Sequence, residues 1–545
     1  MANRILPAVA LALGLCCLPS AGAASETPLH QRIDQLIAGG KADFESRAAK
    51  RSSDEEFLRR VYLDLAGTIP TATEARAFLE DTAANKRESL IDRLLASPEH
   101  VRHMQHTFDV LLMERRADKH VPRAQWQEYL RASFAANKPW DQLVQEVLSA
   151  DGTDPAQRPA AKFYLDRLGE PHLLTRDISR LFLGMNLQCA QCHDHPLIDH
   201  YKQDHYYGLY AFLNRSFLFA DPKTKLTVYA EKAEGDATFI SVFDPAKVQK
   251  STGPRMPKGA PIKEPTFDKG AEYTVAPAKD VRPVPKFSRR GQLAANLATA
   301  ENLSFKRNIA NRLWAMLLGR GLIDPIDRDH AANPPSHPEL LELLAEEIAA
   351  RKFDLRSLLR EIALSQTYQR SSELPDGMDE VRPETFAVAG LKPLRPEQLA
   401  WALLQATGTT DAKKLALGAK LTEPVLYADL AQASAPVVGM FAGEAGTPEN
   451  QSFSATLNQA LFLSNGPLLR TWIAPRAGNL AERLGKLEKP EAIADELYLS
   501  VLTRRPTAEE ITETADFLKS RADRPVALQD LIWALLASAE FRFNH

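Results

Sequence analysis

The chain has 545 residues, 44% of them hydrophobic and 25% charged, with a formal net charge of −3. That length exceeds one ordinary domain and predicts roughly two to four folding units, and the composition is that of a globular protein with sizeable cores. The charges alternate in sign with no Lys/Arg block, which excludes an electrostatic nucleic-acid binder.

Met1 to Ala23 reads as a signal peptide. Arg4 supplies the positive start, Ile5 to Leu18 the apolar stretch, and Ala21-Gly22-Ala23 the cleavage site. The apolar run is short for a bilayer span. A lipidated Cys16 or Cys17 is disfavoured because Leu15, not a small residue, precedes Cys16. No later stretch is long and apolar enough to cross a membrane, so the mature chain is expected to be periplasmic or secreted. Cleavage leaves Cys189 and Cys192 as its cysteines. Two neighbouring thiols exclude a disulfide scaffold.

From Leu29 to about Leu213 the pattern is helical. Asp54 to Ala66 places Phe57, Leu58, Val61 and Leu65 at helix spacing, and Gly67 stops it. Arg60 and Asp64, four residues apart, read as a structural ion pair. Thr71-x-x-Glu74 is a capping box. Ser97-Pro98-Glu99 opens a helix through Leu112, with serine as cap and proline at the first helical position. His100, His103 and His106 share one broad face of it. Leu173 to Leu187 reads as a helix leading into the cysteines.

Phe217 to Ser288 changes character. Lys225 to Ala230 and Thr238 to Phe243 alternate with period two about Gly235-Asp236, which predicts a hairpin. Pro254 to Pro285 is an irregular, Pro- and Gly-rich connector. From Arg289 helices return. His337, beside Pro335 and Pro338, reads as helix-entry architecture, and Asn311, Arg312 and Trp314 as a solvated helix face with one buried tryptophan. Leu415 to Glu449 reads as loop-rich. The expected fold is mostly α: signal peptide 1–23, a helical domain 25–215 with the cysteine motif, a β-containing connector 216–288, and a helical C-terminal domain 289–545.

The chemistry concentrates in Gln188-Cys189-Ala190-Gln191-Cys192-His193-Asp194-His195-Pro196. Cys189-x-x-Cys192-His193 is the arrangement by which c-type haem is attached. Two thiols three positions apart reach vinyl groups of one porphyrin, and the next residue offers an imidazole as proximal iron ligand. Other readings compete. Cys189 and Cys192 with two of His195, His200 and His205 would suit zinc. The pair alone would suit thiol exchange, or a buried structural disulfide in an oxidising compartment. For haem, a sixth ligand would come from Met256, followed by Pro257, or from the helix carrying His103. An open, five-coordinate iron is the alternative. Asp194 is expected to orient His193 or to cap the local turn. No G-x-S-x-G, P-loop or dinucleotide fingerprint is present.

Longer motifs carry a family likeness. They are Phe57-Leu58-Arg59-Arg60-Val61-Tyr62-Leu63-Asp64-Leu65-Ala66-Gly67-Thr68-Ile69-Pro70, Leu94-Leu95-Ala96-Ser97-Pro98, and Phe182-Leu183-Gly184 running into the cysteine motif. In the second half they are Asn311-Arg312-Leu313-Trp314, Gly319-Arg320-Gly321-Leu322, Pro335-Ser336-His337-Pro338-Glu339, Tyr368-Gln369 and Ser538-Ala539-Glu540-Phe541. On these the chain resembles a large secreted two-domain family abundant in planctomycetes. That family pairs a cytochrome-c-associated N-terminal domain of unknown function with a C-terminal domain of unknown function. The resemblance implies export, a C-x-x-C-H motif and an exported sulfatase-like partner, and no established activity. The leading expectation is an exported c-type haem protein with an electron-transfer or redox role. The alternatives are an exported metal-dependent enzyme, of zinc type and acting on polysaccharide, and a non-catalytic scaffold.

Overall fold

The structure is a computed structural model that describes residues 27–39, 44–199, 201–447 and 456–545. The signal peptide at 1–23 and His200 lie outside the described residues. The fold is mostly helical, 54% helix against 7% strand, and no described helix is long and apolar enough to cross a membrane.

The helix ends follow their capping chemistry. Ser53 caps Asp54–Ala66 through the Glu56 amide, and Gly67 ends it in the left-handed region at φ 68°. Thr71 and Glu74 form the capping box of Ala72–Glu80. Ser97 caps Pro98–Met113, with Pro98 in its first turn. His337 sits at the start of Pro338–Ala350, as its flanking prolines imply. The helix before the cysteines runs Pro171–Leu183 and not to Leu187, because Gly184 adopts φ 66° and closes it. The segment read as loop-rich holds a helix, Glu423–Phe441, that contains Pro436. Its apolar residues are spread around its circumference, so no helical stripe marks it.

Strands β1 (Ser216–Ala220), β2 (Thr227–Glu231), β3 (Ala237–Phe239), β4 (Lys250–Thr252), β5 (Tyr273–Val275), β6 (Val284–Pro285), β7 (Lys392–Pro393) and β8 (Phe543–Asn544) form four two-stranded sheets among the described residues. The expected hairpin is corrected. β2 pairs antiparallel with the preceding β1, from Ser216 opposite Glu231 to Ala220 opposite Thr227. β3 pairs with β4 instead. β2 is buried on both faces from Val228 to Glu231: Tyr229 stacks on Tyr164 at 4.8 Å, and Glu231 accepts from the Arg289 amide and Ser288 Oγ. It is held from two sides, which a turn signal cannot reveal.

Two hydrophobic cores organise the chain. The larger draws on residues from Leu29 to Ala387, together with Leu499. The smaller runs from Leu399 to Phe541 and takes Leu63 and Ile69 from the N-terminal part. The sequence boundary at 288/289 therefore crosses the larger core, where Trp140 stacks on Phe305 with the rings 5° from parallel. β7 and β8 clasp the last residues to Lys392, with Lys392 opposite Asn544 and Pro393 opposite Phe543.

Candidate functional site

Gly184 turns the chain out of the Pro171–Leu183 helix, and the Asn186 amide donates to the Asp327 carbonyl at 2.9 Å. A short 3-10 turn, Gln188–Gln191, follows. Ala190 is fully buried and pins this turn, while Cys189 and Cys192 stand exposed with unbonded sulfurs. A buried structural disulfide is thereby corrected: the turn points its one methyl inward and both thiols outward. The turn is tied down from several sides. Tyr207 Oη donates to the Gln191 carbonyl at 3.1 Å, the Val242 amide to the Cys192 carbonyl at 3.0 Å, and the His195 amide to the Tyr201 carbonyl at 2.8 Å.

His193 Nδ1 lies 2.7 Å from the Asp194 carbonyl oxygen. A carbonyl only accepts, so Nδ1 carries the hydrogen, and in the neutral ring the lone pair lies on Nε2. The ring packs on Phe243 at 4.6 Å. The Asp194 carboxylate, expected to orient His193 or cap the local turn, instead accepts from the Gln203 amide at 2.8 Å at the start of the Gln203–Tyr210 helix. His195 has the opposite polarity: its Nδ1 accepts from the Leu197 amide at 3.2 Å. Around the motif, Leu197 is 82% exposed, Phe243 73% and Val242 65%. An apolar surface with no protein cover borders the motif.

The other sequence candidates lie elsewhere or stand apart. Among the described residues no three His, Cys, Asp or Glu side chains converge as metal ligands. His205 Nε2 is 3.8 Å from Asp204, which pairs with Arg255. Met256 Sδ lies 4.0 Å from Asn302 Nδ2 and packs against the larger core. His103 is buried against the Asp54–Ala66 helix, where the missing side chain of Gly67 leaves room for its ring: a Cβ there would stand 2.4 Å from Nδ1.

His103 opens instead onto a cavity of about 840 Å³ between the two halves of the chain, which sequence reasoning missed. At its inner end Asp64 accepts from Lys392 Nζ at 2.6 and 2.7 Å, Tyr368 Oη at 2.9 Å and Asn544 Nδ2 at 2.7 Å. This corrects the expected Arg60–Asp64 pair. Arg60 turns to Glu56 and to the carbonyls of Tyr368 and Arg370. Burial pushes the Asp64 carboxyl up and the Lys392 ammonium down, each opposed by the other's charge. Burial alone would raise Glu397, but Arg115 holds it below the usual carboxylate range, with Nη2 and Oε2 2.9 Å apart. Burial, reinforced by Arg395, keeps His103 well below its ordinary value, and burial lowers His100 and His106 to about 4. Asn311 and Arg312 are corrected too. Asn311 is buried and clasps Ile323 through both its amide and carbonyl, and Arg312 donates to Asn308 Oδ1 and the Arg180 carbonyl. The available signal for the cavity was Asp64 itself, an acid inside the apolar run Val61-Tyr62-Leu63-Asp64-Leu65.

Residues 32–217 match the family model PSCyt2, described as a protein of unknown function (DUF1549). Residues 289–518 match PSD1, a protein of unknown function (DUF1553). No curated protein and no solved structure matches the chain. The cysteine motif falls within the first match, and the cavity joins Asp64 and His103 of the first to Lys392 and Phe386 of the second. With both units present in this order, the chain belongs to the two-domain family in which a DUF1549 segment precedes a DUF1553 segment.

Proposed function

We propose that the protein is an exported c-type haem protein with an electron-transfer or redox role, in which Cys189 and Cys192 form thioether bonds and His193 is the proximal ligand. The observation that carries this reading is the hydrogen bond from His193 Nδ1 to the Asp194 carbonyl, 2.7 Å long, beside two exposed sulfurs. A ligating histidine needs a free lone pair on one nitrogen and a fixed partner on the other. His193 has both. The uncovered apolar side chains of Leu197, Val242 and Phe243 suit the hydrophobic faces of a porphyrin. When bound, haem c would supply a one-electron couple at this surface. The chain's own residues do the rest: Ala190 anchors the turn, the Asp194 carbonyl holds the imidazole orientation, and the Phe243 ring restricts its rotation. Met256 and His103 are held by other groups, so neither is assigned as sixth ligand. The redox partner is placed in the same exported compartment, and a sulfatase-like protein is the candidate that the family resemblance implies.

Expression of the full precursor alongside c-type maturation machinery tests the proposal. The expected result is a Soret band that survives acid–acetone extraction and disappears in Cys192→Ala. A colourless product that carries stoichiometric zinc and no iron would replace haem with the metal-site reading.

A further inference from the structure

The cavity of about 840 Å³ lies within the size range of small-molecule sites. Its wall is unusual in how its charges are arranged. Asp64 is paired with Lys392, Arg115 with Glu397, Arg320 with Asp324 at 3.0 Å, and the buried Glu114 with Arg116 and Arg180. With Arg395 and Glu444 the lining holds four basic and four acidic side chains, so the wall carries no net charge to draw in an ion. Between these pairs Met316, Phe386, Val388, Leu391, Leu394 and Phe441 give the wall its apolar area, beside neutral polar groups such as Gln398 and Asn544.

His103 is the exception among the buried ionisable wall groups. It is 8% exposed, lies on the cavity wall, and is held by the backbone carbonyl of Asp64 and by no side-chain partner. An uncharged imidazole has one N–H and one lone pair. The carbonyl takes the N–H, so the lone pair is left without a donor. Gly67 makes room for the ring, because any Cβ there would collide with His103 Nδ1, so the close approach is built into the backbone.

We propose that this cavity binds an uncharged ring compound whose hydroxyl donates a hydrogen bond to the His103 imidazole. The site is independent of the haem reading and stands whether or not Cys189 and Cys192 carry a porphyrin. The ring would lie against the Phe386 and Phe441 side and the hydroxyl at the Asp64 end. Aryl alcohols and phenols have this layout.

Calorimetric titration of the full mature chain with 4-ethylphenol, 4-ethylanisole, 4-ethylbenzoate and, separately, methyl glucoside tests it. The phenol is expected to bind about tenfold more tightly than the anisole, which lacks the donor, and the benzoate not to bind detectably. Leu391 lines the cavity and is 62% exposed, so Leu391→Trp adds bulk at the cavity without disturbing a core and should abolish phenol binding. His103→Phe should make phenol and anisole equivalent. If that variant fails to fold, the wild-type phenol-to-anisole ratio and Leu391→Trp still decide the matter. Equal wild-type affinities, tighter benzoate binding, no binding of any of the three, or a preference for methyl glucoside over the phenol would each overturn the proposal.

Discussion

Lys392 directs its three N–H donors to Asp64 Oδ1, Asp64 Oδ2 and the Leu317 carbonyl, at 2.6 to 2.7 Å. The Asp64 side chain is 3% exposed, so removing the ammonium leaves a buried carboxylate with only the neutral donors Tyr368 and Asn544. Lys392→Met should therefore destabilise the fold by about 3–5 kcal/mol. Asp64→Asn in the same background should recover part of the loss, because the amide oxygen can still accept from Tyr368. Urea unfolding of the two variants measures this, and a cost for Lys392→Met near the roughly 0.5 kcal/mol of an ordinary surface change would show the pair to be dispensable. This network also marks how far single residues were legible. The cysteine motif is local, so the two thiols and the imidazole are adjacent whatever the rest of the fold does. The partner of Asp64 is 328 residues away, and sequence offered only the helical neighbour Arg60. The hydrogen on His193 Nδ1 depends on where one backbone carbonyl points, which no residue type encodes.

At the scale of elements, helix starts signalled by Thr71 and Ser97 were legible, whereas helix ends were less so: the helix before the cysteines stops at Leu183 and not at Leu187. Ser97 and Pro98 set the start of Pro98–Met113 as their chemistry requires. What the spacing of His100, His103 and His106 did not disclose is that His100 and His103 are buried and His106 is half-buried with its Nε2 shut off from solvent. A solvated histidine stripe and an interior one share the same periodicity. The interior placement has a pH consequence. His106 packs against Trp401 at 5.7 Å and Tyr427 at 6.0 Å, and burial lowers it to about 4 from the ordinary 6.5. Between those values the unfolded chain binds the proton and the folded chain does not, so stability is fully present above about pH 6.5 and falls as the pH drops towards 4. His106→Phe removes one such proton, and its stability should lose less on acidification, by up to about 1.4 kcal/mol per pH unit across that window. Urea midpoints of both proteins at pH 7, 6 and 5 provide the comparison, and parallel pH profiles would rule out a neutral His106. Depressed carboxyls such as Glu397 start from 4.5, so their losses fall mainly below this range. The strands were less legible than the helices, because β2 is buried on both faces and carries no polar face to set its register.

For the molecule as a whole, family segments and packing units do not coincide. The matches end at 217 and resume at 289, and composition marks the same connector, yet the larger core uses both sides of it. The Trp140 amide donates to the Phe353 carbonyl at 3.1 Å, Asn308 Nδ2 to the Leu181 carbonyl at 2.7 Å, and Arg290 to the carbonyls of Ser149 and Ala150. The smaller core is tied back as well: the buried Arg59 donates to the Phe541 carbonyl at 2.8 Å, and Gln398 Nε2 to the Leu63 carbonyl at 2.9 Å. A chain cut at 288/289 would expose Phe182 and Trp140 on one piece and Phe305 and Trp314 on the other. Neither piece would then bury enough apolar surface to offset its conformational entropy. Residues 24–288 and 289–545 produced separately should each show broad, non-cooperative urea transitions and weak near-ultraviolet circular dichroism. Co-expressed, they should associate and regain a sharp transition, since the contacts that join them are those of a core and not of a hinge. A cooperative transition with native near-ultraviolet signal from 24–288 alone would mean that the connector bounds a self-sufficient domain, and that the helices after it only decorate a core already complete.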